Sequence, residues 1–114
     1  MKKVLVLDDD KSRMAKFFLN KQDTDLRQVW NAADCIEALK DGHYDICQLD
    51  HDLEGVYQDP AEENTGSGVV RWVVENRPQV DKFIVHSYNE RAALGMVEAL
   101  LAAGYWAVWI PFNL

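Results

Sequence analysis

Five short apolar runs alternate with stretches of helical periodicity along this chain of 114 residues. Lys3 to Leu7 is an unbroken run of Val and Leu, the pattern of a parallel strand buried on both faces, and it stops on Asp8-Asp9-Asp10. Met14, Phe17 and Phe18 then follow the i, i+3, i+4 spacing of an amphipathic helix, with Asp10 or Ser12 placed to cap it. Asp25 to Trp30 is a more polar strand, suited to a sheet edge. Ala33 to Lys40 predicts a short helix with Ile36 and Leu39 inward, ended by Gly42. Tyr44 to Asp50 is the next buried strand.

Beyond it lies a polar loop, Glu54 to Thr65. Gly66-Ser67-Gly68 opens a helix over Val69 to Asn76 that Pro78 terminates. Lys82 to Ser87 is a fourth strand. Asn89 is placed to cap a helix running to Ala103, with Leu94, Val97, Leu100 and Leu101 on its inner side and Gly104 beyond its end. Tyr105 to Ile110 is the last strand, closed by Pro111. Strands alternating with helices in this way predict one α/β domain over residues 1–114, a doubly wound five-stranded parallel sheet with right-handed crossovers.

The chemistry gathers at the strand ends. In an open α/β sheet the strand C-termini share one edge, and ligands bind there. Asp8, Asp9 and Asp10 end the first strand, Asp50, His51 and Asp52 the third, and His86 and Ser87 the fourth. The first and third strands are neighbours in such a sheet, and the fourth lies beside the third. Carboxylates crowded within a few ångströms repel unless a cation holds them. Oxygen ligation by Asp8, Asp9, Asp50 and Asp52 suits Mg²⁺ or Mn²⁺, and imidazole nearby extends the choice to Zn²⁺. Acidic residues at strand ends also serve as turn formers and caps, Asp10 above all.

Composition narrows the partners. A net charge of -7 without any Lys/Arg cluster excludes broad binding to duplex nucleic acid or to anionic membrane, and leaves a small phosphorylated ligand held by a few local groups. Cys35 and Cys47 lie in apolar segments without CxxC spacing, as expected of buried thiols in a reducing compartment. Four apolar residues after Met-Lys-Lys are too few for a signal sequence, and a cytoplasmic location is expected.

The acidic pair Asp8-Asp9, the strand-ending Asp50, Ser87 and the Ile110-Pro111-Phe112 segment together resemble the receiver domain of response regulators. The blocks Leu49-Asp50-His51-Asp52-Leu53, Thr65-Gly66 and Val85-His86-Ser87-Tyr88-Asn89 resemble, more narrowly, the cyclic-phosphate processing receiver domains. The resemblance implies the flavodoxin-like strand order 2-1-3-4-5 and a phosphoacceptor role for Asp50 in ordinary receivers. It also implies action on a cyclic phosphate, nucleotide or RNA end, in the narrower group. Three departures from ordinary receivers stand out. Ile110 occupies the position of the Lys that pairs with the phosphoacceptor, the loop after Asp50 is about twice the usual length, and 114 residues leave no room for the last helix.

On this reading His51, His86 and Asp50 are the candidate catalytic groups, since histidines titrate near neutrality and share acid and base roles. Ser87, Asn89 and Thr65 would donate hydrogen bonds to a phosphate, and Arg91, one turn into the fourth-strand helix, would pair with it bidentately. Alternation sends His86 and Ser87, like Asp50 and His51, to opposite faces unless the backbone turns at the strand end. Three function classes follow: a metal-dependent phosphoesterase on a cyclic phosphate, a receiver phosphorylated on Asp50, and a non-catalytic interaction module. Without a last helix, the run from Tyr105 to Leu114 would leave apolar surface for a homodimer or a protein partner, with Trp106 or Trp109 as anchor.

Overall fold

In a computed structural model that describes residues 2–10 and 24–111, the elements are β1 (Lys2–Leu7), β2 (Thr24–Val29), α1 (Ala32–Lys40), β3 (Tyr44–Leu49), α2 (Gly66–Asn76), β4 (Val80–Val85), α3 (Glu90–Ala102) and β5 (Trp106–Trp109). All strands pair in parallel, in the order β2-β1-β3-β4-β5. This is the flavodoxin-like receiver architecture. No helix follows β5 among the described residues. The helix expected around Met14, Phe17 and Phe18, its cap at Ser12, and Phe112 lie outside the described residues. No described helix is long and apolar enough to cross a membrane.

Alternation along the strands divides the apolar residues between two faces. Leu5, Leu7, Cys47, Leu49, Phe83 and Val85 point to the face covered by α1, α2 and α3, where Cys35, Leu39, Val69, Val73, Met96 and Leu100 complete the main core. Val4 and Val6 are buried on the opposite face with Ile46 against them. β2 is largely exposed until Val29, as its polar sequence requires of an edge strand.

Two departures from the sequence pattern affect the site. β4 begins at Val80 and ends at Val85, so His86 and Ser87 lie past the strand and alternation does not force them apart. In α3 the buried residues are Ala92, Ala93, Met96 and Leu100, whereas Leu94 and Leu101 are exposed. The two alanines let the helix approach the sheet closely, which turns the larger Leu94 and Leu101 outward. Trp106 and Ile110 are exposed as well. Trp109 is partly buried: it packs against the core and its indole N–H donates to the Ser87 carbonyl at 2.7 Å.

Candidate functional site

Strand register builds the site. Leu7 pairs with Leu49 and Leu49 with Val85, so the next residue of each strand, Asp8, Asp50 and His86, falls into one row. The backbone continues the register past the strands: Asp50 N–H donates to the Leu7 carbonyl and His86 N–H to the Leu49 carbonyl, each at 3.0 Å. All three side chains are buried. One ligand atom from each lies within 4.8 Å of the others. His86 Nε2 and Asp8 Oδ2 are 2.9 Å apart. The other Asp8 oxygen accepts the Asp10 N–H at 2.9 Å, which turns the acidic triplet back over the sheet edge. Asp50 Oδ1 accepts the following N–H, that of His51, at 2.8 Å.

An open cavity of about 420 Å³ lies beside this row, lined by Asp9, Asp10, Asp50, Asp52, Gly55, Ser87 and Tyr88. Ser87 Oγ accepts the Asn89 N–H at 3.0 Å, so its own hydroxyl proton remains available to a ligand. Trp109 holds the Ser87 carbonyl from β5.

The other expected site residues are placed differently. His51 is fully buried and does not line the cavity. Its Nδ1 meets Asp52 Oδ1 at 2.9 Å, and its Nε2 is buried with no hydrogen-bond partner among the described residues. Asp52 Oδ1 also accepts the Gln58 N–H at 2.8 Å. Asp52 thus lines the cavity while tied to a histidine and a loop amide, and it stands outside the row of candidate ligands. Asn89 is buried, with Oδ1 capping α3 through Ala92 N–H and Nδ2 3.4 Å from Asp52 Oδ1 and from the Gln58 carbonyl.

Thr65 does not line the cavity. Its hydroxyl donates to the Glu62 carbonyl and accepts the Gly68 N–H, so it is consumed as the α2 cap. Arg91 lines a different cavity, in the groove between α2 and α3, and not the acidic one.

Several contributors have no signal of their own in the sequence. Gln58 is buried within the polar loop, accepts the Leu53 N–H, and donates to Glu54 and to the Asn64 carbonyl. Arg71 donates to the carbonyls of Pro60, Ala61 and Glu62. These bonds pin the loop at its centre and its end. Asp10 and Tyr88 line the cavity; the acidic triplet was a signal for Asp10, and adjacency to Ser87 the only one for Tyr88.

The donor set fits a divalent cation. Two carboxylates and an imidazole with buried, convergent ligand atoms match the ligand types of Mn²⁺ and Zn²⁺, and the carboxylates with the open cavity for water match Mg²⁺. Such a cation at the mouth of a cavity with a free hydroxyl donor is suited to binding a phosphoryl group.

The sequence profile of the cyclic-phosphate processing receiver domain matches residues 3–102. No curated protein matches significantly. Among solved structures, the response regulator TrrA from Thermotoga maritima, in complex with Mg²⁺ and BeF, is 18% identical, with a TM-score of 0.70 over 99% of this chain and 88% of that one. The signal receiver domain of a LuxO repressor protein from Vibrio parahaemolyticus is 19% identical, with a TM-score of 0.66 over 98% and 80%. A response regulator from Burkholderia pseudomallei with a phosphorylated aspartic acid, calcium ion and citrate is 16% identical, with a TM-score of 0.68 over 99% of this chain and 62% of its own. At these identities the structures share the fold.

Proposed function

The chain belongs to the cyclic-phosphate processing receiver domain family, and from that premise we propose that it opens a cyclic phosphodiester, on a nucleotide or an RNA end, in the acidic cavity. The observation that carries this reading is the row Asp8–Asp50–His86, which adds an imidazole to the acidic pair of a receiver. These three residues would hold the divalent cation, with Asp9 at the cavity edge. When bound, the cation supplies Lewis-acid polarisation of a phosphoryl oxygen and lowers the pKa of water. Ser87, whose oxygen accepts the Asn89 N–H, directs its hydroxyl proton to a phosphoryl oxygen. Asp52 faces the cavity as a group held by His51 Nδ1 and the Gln58 amide, oriented to accept a proton from attacking water as the new P–O bond forms and to return it to the alkoxide released when the ring P–O bond breaks. His51 acts through Asp52 and is a positioning residue, while His86 serves as a ligand.

Phosphorus NMR of the protein with a nucleoside 2′,3′-cyclic phosphate tests the proposal, with Mg²⁺, Mn²⁺ or Zn²⁺ and with chelator. Cation-dependent ring opening is expected, lost in Asp50→Asn and His86→Ala and reduced in His51→Gln. Absence of turnover with every cation overturns it.

A second reading is favoured by one observation: Asp50 lines an open cavity next to Ser87, as a phosphoacceptor must. Ile110, exposed and without a charge to offer, weakens it. A gain of one phosphoryl mass on incubation with acetyl phosphate, absent in Asp50→Asn, would support this reading.

A further inference from the structure

We propose that the groove between α2 and α3 is a second binding site, for a small amphiphilic anion: an aromatic or aliphatic body carrying a carboxylate. Four observations converge on it, none involving the acidic row. The groove holds a cavity of about 340 Å³ with mainly apolar walls that include Val70, Met96 and Ala99. This is the size range of small-molecule sites, which combine apolar walls with a few placed polar groups.

Ser67 supplies one such group. It lines the cavity and is only 9% exposed, yet its hydroxyl has no hydrogen-bond partner among the described residues. The hydroxyl is not among the polar atoms buried without a partner, so it opens onto the groove, where a ligand oxygen can accept from it.

Arg91 supplies the charge. It stands at the groove, exposed, with no ion pair or hydrogen bond among the described residues. Its i+3 and i+4 neighbours are Leu94 and Gly95 rather than carboxylates, so no helical pairing occupies it. The other arginine of the groove, Arg71, is already committed to three loop carbonyls. On a molecule of net charge -7, an anion is retained only where a cation is unshared, and a guanidinium matches a carboxylate bidentately.

Gly95 keeps the space open. Glycine is unfavourable inside a helix, and a Cβ built there meets nothing within 4 Å. The groove is therefore open at this position.

A titration with naphthoate, followed by backbone amide chemical shifts of the intact chain, tests the site. Saturable shifts are expected at Ser67, Val70, Arg91 and Gly95, with affinity about tenfold weaker for the neutral naphthamide and in Arg91→Ala, as for loss of one charge-assisted contact. Gly95→Leu fills the groove and is expected to abolish these shifts while Tm holds or rises. Shifts that do not saturate, that centre on Trp106 and Ile110, or that persist unweakened in Arg91→Ala overturn the proposal. Because no turnover is read, failure here is separate from failure of the phosphodiesterase reading.

Discussion

His86 and Asp8 meet at 2.9 Å with both side chains buried, so each loses a buried polar partner if the other is removed. Removing one member of a buried hydrogen-bonded pair leaves the other without that partner, which typically costs about 2 kcal/mol. His86→Ala is expected to lower unfolding free energy by roughly that amount in urea titration without added cation; a loss within a few tenths of a kcal/mol would mean the pair contributes nothing. The two cysteines behave oppositely to a reactive pair. Burial, helped by the contact with Cys35, pushes the Cys47 thiol well above its ordinary range. A raised thiol pKa favours the protonated form, so its contribution to stability is fully present below the ordinary thiol pKa and is lost only as pH climbs toward the folded value. Both thiols should resist a disulfide reagent at mildly alkaline pH and react together once the protein is denatured. Fast native labelling of either would contradict their full burial.

At the scale of elements, the junction of β3 and α2 shapes the site. Thr65 caps α2, and the Gly66 N–H donates to the His51 carbonyl. A Cβ on Gly66 would overlap the Asp50 carbonyl and the Met96 methyl, so only glycine lets α2 sit this close to the end of β3. Thr65→Ala should cost about 1 kcal/mol as a lost cap, and Thr65→Ser much less. Gly66→Ala should cost several times more, roughly 3 kcal/mol or above, because backbone must move. Denaturant midpoints for the three variants check the ranking; equal costs for Thr65→Ala and Gly66→Ala would refute the close-approach argument. The Thr65-Gly66 pair, visible in the sequence as a block, is thus explained by packing and capping. Its hydroxyl could be read as a phosphate donor in one dimension because a cap and a ligand contact require the same group.

For the molecule as a whole, a cation bound by the row would join three neighbouring strands, and any ligand that binds only the folded state stabilises it. At a hundredfold excess over Kd the gain is about 2.7 kcal/mol, which for a domain of this size raises Tm by on the order of 10 °C. Thermal unfolding with Mn²⁺, Zn²⁺ and Mg²⁺ against chelator should show that rise with at least one ion, and Asp50→Asn should abolish it. Equal Tm under all conditions would remove the cation from the account.

The sequence alone determined the alternation of strands and helices, the parallel sheet, the polar edge strand and the gathering of acids and histidines at one sheet edge. Each follows from local periodicity or from the shared polarity of parallel strands, properties that neighbouring residues carry. Tertiary structure decided which of those groups face one another. Register aligned Asp8, Asp50 and His86 because three strands end on paired residues. The early end of β4 freed His86 and Ser87 from alternation. Packing of α3 through alanines turned Leu94 and Leu101 outward and carried Arg91 to the second groove. His51, next to Asp50 in the chain, was buried away from the cavity. Contacts between residues distant in sequence depend on close packing of whole elements, and no local pattern encodes them.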